Sequence, residues 1–166
     1  MEIVIALAGN PNSGKTTLFN ALTGSNQYVG NWAGVTVERK EAMFELEEDH
    51  AKLVDLPGVY SLSPYSIEEN ITRHFIAQHQ PDVVLNIVDA TNLERNLYLT
   101  LQLMELERPV VVALNLMDEL ARRGETIDTK KLSEALGAPV VPISAKKKQG
   151  FDELFSAIHA LAHHPQ

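Results

Sequence analysis

Cysteine does not occur among the 166 residues, and its absence removes disulfide frameworks, thiolate zinc sites and thiol nucleophiles in one step. A reducing compartment suits such a composition. Cationic side chains are scarce: 14 Lys and Arg stand against 22 Asp and Glu, a formal net charge of −8 with an isoelectric point near 5.2. A field of that sign repels nucleic acid and anionic lipid, so no nucleic-acid partner is expected. The dense basic patch is confined to Lys146, Lys147 and Lys148. No apolar run approaches the roughly 18 residues of a bilayer span, and MEIVIALAG at the start has neither a basic n-region nor a long enough apolar stretch for a signal peptide. The chain by itself is expected to be soluble. Repeats and low-complexity tracts are also missing. What remains is one domain, long enough to bury roughly 70% of the surface its unfolded chain exposes.

Short apolar runs rich in β-branched residues predict strands at 3–7, 52–55, 83–89, 110–115 and 140–143. Helical periodicity predicts helices at 16–22, 66–78, 96–106, 129–136 and 151–161. Alternating strands and helices imply a parallel sheet with helices on both faces. One segment breaks the rhythm: TVERKEAMFELE, 36–47, alternates polar and apolar residues, then turns at Glu48, Asp49 and His50. A hairpin of 37–47 with 51–55 would add one antiparallel edge strand, six strands in all. The stretches 24–35 and 57–64 show no regular pattern, and long loops at strand ends are where such sheets bind ligands.

The first predicted strand runs directly into GNPNSGKT, with Gly9, Gly14, Lys15 and Thr16 at the G-x-x-x-x-G-K-[ST] spacing of a phosphate-binding P-loop. Backbone N–H groups must surround a phosphate chain, so the loop has to be tight and must lack a Cβ where the phosphate approaches. The helix that follows points its N-terminal dipole at the anion. Lys15 would place a charge on the β- and γ-phosphates, and the Thr16 hydroxyl would ligate Mg²⁺. Gly9, Asn10, Pro11, Asn12, Ser13, Gly14, Lys15, Thr16 and Thr17 are thereby candidates for the nucleotide site.

Three later strand ends carry weaker signals. Asp55-Leu56-Pro57-Gly58 is a D-x-x-G: the carboxylate could hold Mg²⁺ and the Gly58 N–H could reach a γ-phosphate, although DLPG is also a good turn sequence. Asn115-Leu116-Met117-Asp118 is an N-x-x-D, where Asp118 could accept two N–H donors of guanine and Asn115 could brace the loop, or Asp118 could simply cap a helix. Ser144-Ala145-Lys146 could offer a backbone N–H to the guanine carbonyl, or could cap the helix from Phe151. Thr36, following Gly34 and Val35, could complete a Mg²⁺ shell while a γ-phosphate is present, or be a β-favouring residue at a strand start. The three strand-end motifs together, in this order, are far more specific than any one.

GNPNSGKT, Thr36, DLPG, NLMD and SAK match the motif set of GTP-binding proteins of the Ras-like P-loop class over nearly the whole chain. GNWAGVTVERKE (30–41), DLPGVYSLSPYSIEE (55–69) and DATNLERNLYLTLQL (89–103) resemble more particularly the N-terminal GTPase domain of FeoB, the prokaryotic ferrous-iron transport family. The resemblance implies a slow, Mg²⁺-dependent GTP hydrolase with Lys15, Asn12, Thr36 and Gly58 as its catalytic groups. Thr16, Thr36 and Asp55 would hold Mg²⁺. It also implies K⁺ stimulation, with Asn12 and the backbone carbonyls of Asn31 and Trp32 around the cation. Further implied are a helical domain and a membrane permease as partners, both absent from this chain, a place on the cytoplasmic face of the inner membrane, and self-association. Two departures stand out. Val59 follows DLPG where many GTPases have a water-orienting glutamine, and Leu116 replaces the lysine of N-K-x-D. Val59 keeps open a regulatory module that binds guanine nucleotide with negligible hydrolysis. A K⁺-dependent RNA- or ribosome-associated GTPase is the further alternative, disfavoured by the acidic charge. Trp32, in a polar loop, is expected to be mobile and partly exposed; Glu68 and Glu69 are expected to be exposed charges. His50, His74, His79, His159, His163 and His164 are expected to be scattered and solvated, and Arg95 and Asn96 to lie on the surface.

Overall fold

The computed structural model describes residues 2–24 and 27–163. Seven strands form one sheet in the order β2-β3-β4-β1-β5-β6-β7. These are β1 (Glu2–Gly9), β2 (Gln27–Asn31), β3 (Glu38–Leu46), β4 (Asp49–Asp55), β5 (Val83–Asp89), β6 (Val110–Asn115) and β7 (Val140–Pro142). β1 runs parallel to β4 and β5, and β5, β6 and β7 continue parallel. β3 is antiparallel to β4, and β2 is antiparallel to β3. The predicted class is thus present: mostly parallel α/β with an antiparallel edge. The strand count is seven rather than six, because the edge is two strands deep. β2 lies inside the stretch expected to be irregular. Its sequence QYVGN has no alternation, and every one of its residues keeps some exposure, so only its register against β3, from Gln27 opposite Ala42 to Asn31 opposite Glu38, makes it a strand.

The helices are α1 (Lys15–Thr23), α2 (Ile67–His79), α3 (Leu93–Met104), α4 (Met117–Arg122), α5 (Thr129–Leu136) and α6 (Phe151–His163), with a 3₁₀ turn at Ala90–Asn92 before α3. The strand pleat sends alternate residues to opposite faces. Ile3, Ile5 and Leu7 join Leu85, Ile87, Leu18, Phe19, Leu154 and Ile158 beneath α1 and α6. Ala6, Ala8, Val84 and Val88 join Phe75, Ile76, Leu99 and Leu103 beneath α2 and α3. Covered on both faces, β5 and β6 are buried along their whole length, which is why they read as continuous apolar runs. No described helix is long and apolar enough to cross a membrane. His164 lies outside the described residues. Parallel pairing brings the C-terminal ends of β1, β4, β6 and β7 to one edge, where open α/β sheets bind their ligands.

Candidate functional site

The P-loop joins β1 to α1 through two left-handed residues, Asn12 (φ 66°) and Gly14 (φ 95°). At Gly14 even the position of a Cβ is taken, since it would stand 2.2 Å from Asn115 Nδ2. Ser13 closes the turn, its N–H and hydroxyl donating to the Asn10 carbonyl at 3.3 and 2.7 Å. α1 then begins with no side-chain cap and no acidic residue in its first turn. Its free N–H groups and positive dipole end are left for an anion. They face a cavity of about 610 Å³ lined by Asn10, Pro11, Asn12, Gly14, Lys15, Thr16, Thr17 and Gly58. Asn10 is 1% exposed and neither atom of its side-chain amide has a hydrogen-bond partner.

DLPG follows β4, the neighbour of β1, so it lands against the P-loop. Leu56 N–H donates to the Leu7 carbonyl at 3.0 Å and Val59 N–H to the Gly9 carbonyl at 3.1 Å. Lys15 Nζ pairs with Asp55 Oδ1. Burial pushes the Asp55 carboxyl above its ordinary range, and the Lys15 charge and hydrogen bond pull the other way. Val59 itself is buried, in contact with the apolar cluster under α2 and α3.

A second cavity, of about 280 Å³, is lined by Met117, Asp118, Pro142, Ile143, Ser144 and Gln149. Leu116 takes a left-handed conformation (φ 67°) and turns the chain into the short helix α4 with Asp118 in its first turn. Asp118 Oδ1 is buried and has no hydrogen-bond partner, while Oδ2 is 3.5 Å from Lys147 Nζ. Burial pushes this carboxyl up, but backbone N–H groups of Asp118 and Glu119 together with Lys147 outweigh it and hold the group below the usual range. The Ser144–Gln149 pair, with N–H to carbonyl bonds of 3.1 and 3.0 Å, closes the loop that carries Ala145 and the exposed Lys146. Asn115 ties together the loops that carry the two sites. Its Nδ2 donates to the Ser13 carbonyl at 3.0 Å and its Oδ1 accepts from Ala145 N–H at 2.9 Å.

Not every candidate converges on these cavities. Asn31, Trp32, Gly34, Val35 and Thr36 are absent from both linings. Trp32 N–H donates to the Val37 carbonyl at 2.9 Å and the Trp32 carbonyl accepts from Val35 N–H at 3.2 Å, a closed loop on whose surface Thr36 is exposed. Trp32 is buried at 8% exposure rather than mobile and exposed. Phe75 of α2 meets its ring edge-on at 5.7 Å and the Arg39 guanidinium covers it at 4.5 Å.

Glu69 is not a free surface charge either. It accepts from Ser61, Ser63 and Ser66 hydroxyls at 2.6 to 2.7 Å and from Ser63 N–H at 3.1 Å. These bonds, the one from Ser61 first, lower its carboxyl to about 2. The S-x-x-E spacing of Ser66 and Glu69 is a helix-start signal that could have shown Glu69 to be engaged, whereas no local signal joins Ser61 and Ser63 to it. Asn96 is buried, its Oδ1 accepting from Asp89 N–H at 3.1 Å, and Arg95 covers the Tyr60 ring at 5.1 Å. Of the histidines, His79 stacks on Phe75 at 4.6 Å, His50 pairs with Glu45 at 2.8 Å, and His159 and His163 gather at Asp49.

Comparison with known proteins places this arrangement. A Salmonella typhimurium protein named Fe(2+) transporter FeoB is 53% identical over 161 residues, 95% of this chain and 21% of that protein. The chain thus spans about a fifth of the length of the curated relatives it matches. Among solved structures, the FeoB G-domain of Methanococcus jannaschii superposes with a TM-score of 0.88 at 52% identity, covering 98% of both chains. A mutant S. thermophilus NFeoB bound to mGDP gives 0.91 at 53% identity over 96% of this chain and 61% of that one. The model of the ferrous iron transport protein B family matches residues 3–158, and the chain belongs to that family.

Proposed function

We propose that this chain is the Mg²⁺-dependent GTP-binding switch domain of a ferrous-iron transporter, hydrolysing GTP slowly and faster with K⁺. The observation that carries the guanine assignment is Asp118 Oδ1, buried and without a hydrogen-bond partner on a cavity that Asn115 ties to the phosphate loop. A lone buried carboxylate oxygen is paid for by a donor-rich ligand, and the paired N–H groups of guanine are such donors where adenine offers a different pattern. The uncapped start of α1 and Lys15 supply the anion site. The GDP-type ligand of the S. thermophilus relative supports the same reading.

Thr16 and Asp55 would hold Mg²⁺, with Thr36 joining once the first switch loop closes. Hydroxyl and carboxylate oxygens are the donors a hard cation takes, and Asp55 is already beside the cavity through its pair with Lys15. The ion would neutralise phosphate charge as hydrolysis proceeds. Asn12, on the cavity wall, is the candidate K⁺ ligand from the P-loop, and the Asn31 and Trp32 carbonyls would join it once the first switch loop rearranges, the Trp32 carbonyl leaving its bond from Val35 N–H. Gly58 N–H would meet the γ-phosphate. Val59 has no group to orient water and is packed in the core, so backbone donors and cations would do the stabilising. That same residue supports the second reading, a module for which binding is the output. The permease and helical domain as partners, a cytoplasmic-face location and self-association belong to this proposal.

Single-turnover GTP cleavage with Mg²⁺, in K⁺ and in Na⁺, tests it. Faster cleavage in K⁺ is expected. Equal rates would remove the K⁺ role of Asn12, and tight GTP binding with no cleavage in either salt would leave the binding module.

A further inference from the structure

β4 begins at Asp49 on the sheet end away from the phosphate loop, six residues and about 20 Å from Asp55 in the same strand. α6 crosses that end with His159 and His163 at i and i+4, one above the other on a single face. Their Nε2 atoms lie 3.3 Å and 2.6 Å from the same oxygen, Asp49 Oδ2. One donor atom from each of the three residues falls within 4.8 Å of the other two. Asp49 is 9% exposed and the two imidazoles are each 31% exposed. The carboxylate is therefore fixed while the histidines keep a side open to solvent.

We propose that Asp49, His159 and His163 form a binding site for a first-row divalent transition-metal ion, separate from the nucleotide site. Ligand bonds of about 2.0 to 2.1 Å place neighbouring donors roughly 3 Å apart around such an ion, and the two measured nitrogen-to-oxygen separations, 2.6 and 3.3 Å, bracket that spacing. An ion between them would take the place of the protons now shared by the imidazoles and the carboxylate. Two imidazoles and one carboxylate are a donor set for Zn²⁺, Co²⁺ or Fe²⁺ rather than for Mg²⁺ or Ca²⁺, which take oxygen. Three protein ligands leave coordination positions for water. Bound there, the ion would pin the last turns of α6 to the start of β4.

Co²⁺ titrated into the untagged full chain, with GDP and excess Mg²⁺ present to fill the nucleotide site, tests the proposal through the visible ligand-field bands of the ion. One Co²⁺ per chain is expected, displaced by Zn²⁺, which binds such sites more tightly, and indifferent to Mg²⁺. His163→Ala, in the last turn of α6, should weaken binding by about tenfold or more, and His159→Ala/His163→Ala should abolish it while GDP binding stays intact. Absence of ligand-field bands at millimolar Co²⁺, or bands that persist in the double variant, would overturn the site.

Discussion

Asn115→Ala should loosen the phosphate loop and the base loop together. The wild-type amide is 2% exposed, and both its bonds, to the Ser13 carbonyl and from Ala145 N–H, are made by groups of the two loops. Truncation leaves the Ser13 carbonyl and the Ala145 N–H without this partner. At about 1 to 3 kcal/mol for each of the two orphaned buried groups the loss comes to about 2 to 6 kcal/mol, a large part of an ordinary domain's stability. For a domain of this size that corresponds to a Tm drop of roughly 4 to 24 °C. Urea unfolding of the nucleotide-free chain measures it, with an unchanged m-value as the check that the unfolded state is the same. Asn115→Asp separates the two bonds: it keeps an acceptor for Ala145 N–H but turns a carboxylate oxygen on the Ser13 carbonyl, so it should destabilise by a comparable amount rather than rescue. GDP affinity should fall in both. A destabilisation by Asn115→Ala below about 0.5 kcal/mol, the scale of an inconsequential surface change, would refute the bracing role, and stability loss with unaltered GDP affinity would refute the coupling between cavities.

Two more outcomes follow from the site. Glu69 has a folded-state carboxyl lowered to about 2, so its contribution is fully present above the ordinary glutamate range near 4.3 and is lost as pH falls toward 2. The stability difference between the wild type and Glu69→Gln should therefore be flat from pH 7 to 5 and shrink below it; a difference that grows on acidification would contradict the serine cage. Asp118→Asn should shift preference from guanine to xanthine nucleotide, because the new amide donates where the carboxylate accepted. Competition between GDP and XDP measures this, and unaltered GDP affinity would take Asp118 out of base recognition.

Local chemistry was legible in the sequence and contacts between distant segments were not. GNPNSGKT and DLPG are compact signals whose backbone demands are written in their own residues, as at Gly14, and they sit where predicted. The strands buried on both faces announced themselves as apolar runs. β2 did not, because QYVGN has its register only through β3. Trp32 reads as exposed in GNWAG, and its burial depends on Phe75 and Arg39, contributed by α2 and β3. α4 is six residues long and starts from a left-handed Leu116, too short for a periodicity to show. His159 and His163 have the i, i+4 spacing of a chelating pair, but Asp49 is 114 residues from His163 and nothing in the sequence joins them.

Lys15 and Asp55 satisfy each other, and that pair sets an opposition between stability and binding. Lys15 cannot turn toward a phosphate without leaving Asp55 uncompensated, and Asp55 cannot turn toward Mg²⁺ without releasing Lys15, so the two ligands should each make room for the other. Asp55 is the strained member: burial raises its carboxyl, and the charge and hydrogen bond of Lys15 do most to hold it down. A raised carboxyl favours the protonated folded state, so its penalty is absent at low pH and develops as pH rises through the folded value. Lys15→Met should consequently lose about 3 to 5 kcal/mol at neutral pH, with the deficit shrinking on acidification. Lys15→Met/Asp55→Asn removes the buried charge as well and should recover that stability, matching or exceeding the wild type, with nucleotide binding still lost. Urea unfolding of the four chains of this cycle at neutral and acidic pH gives the coupling directly. If the double variant were no more stable than Lys15→Met, the destabilisation would come from lost packing of the lysine stem, and the ion pair would not be what holds these two loops together.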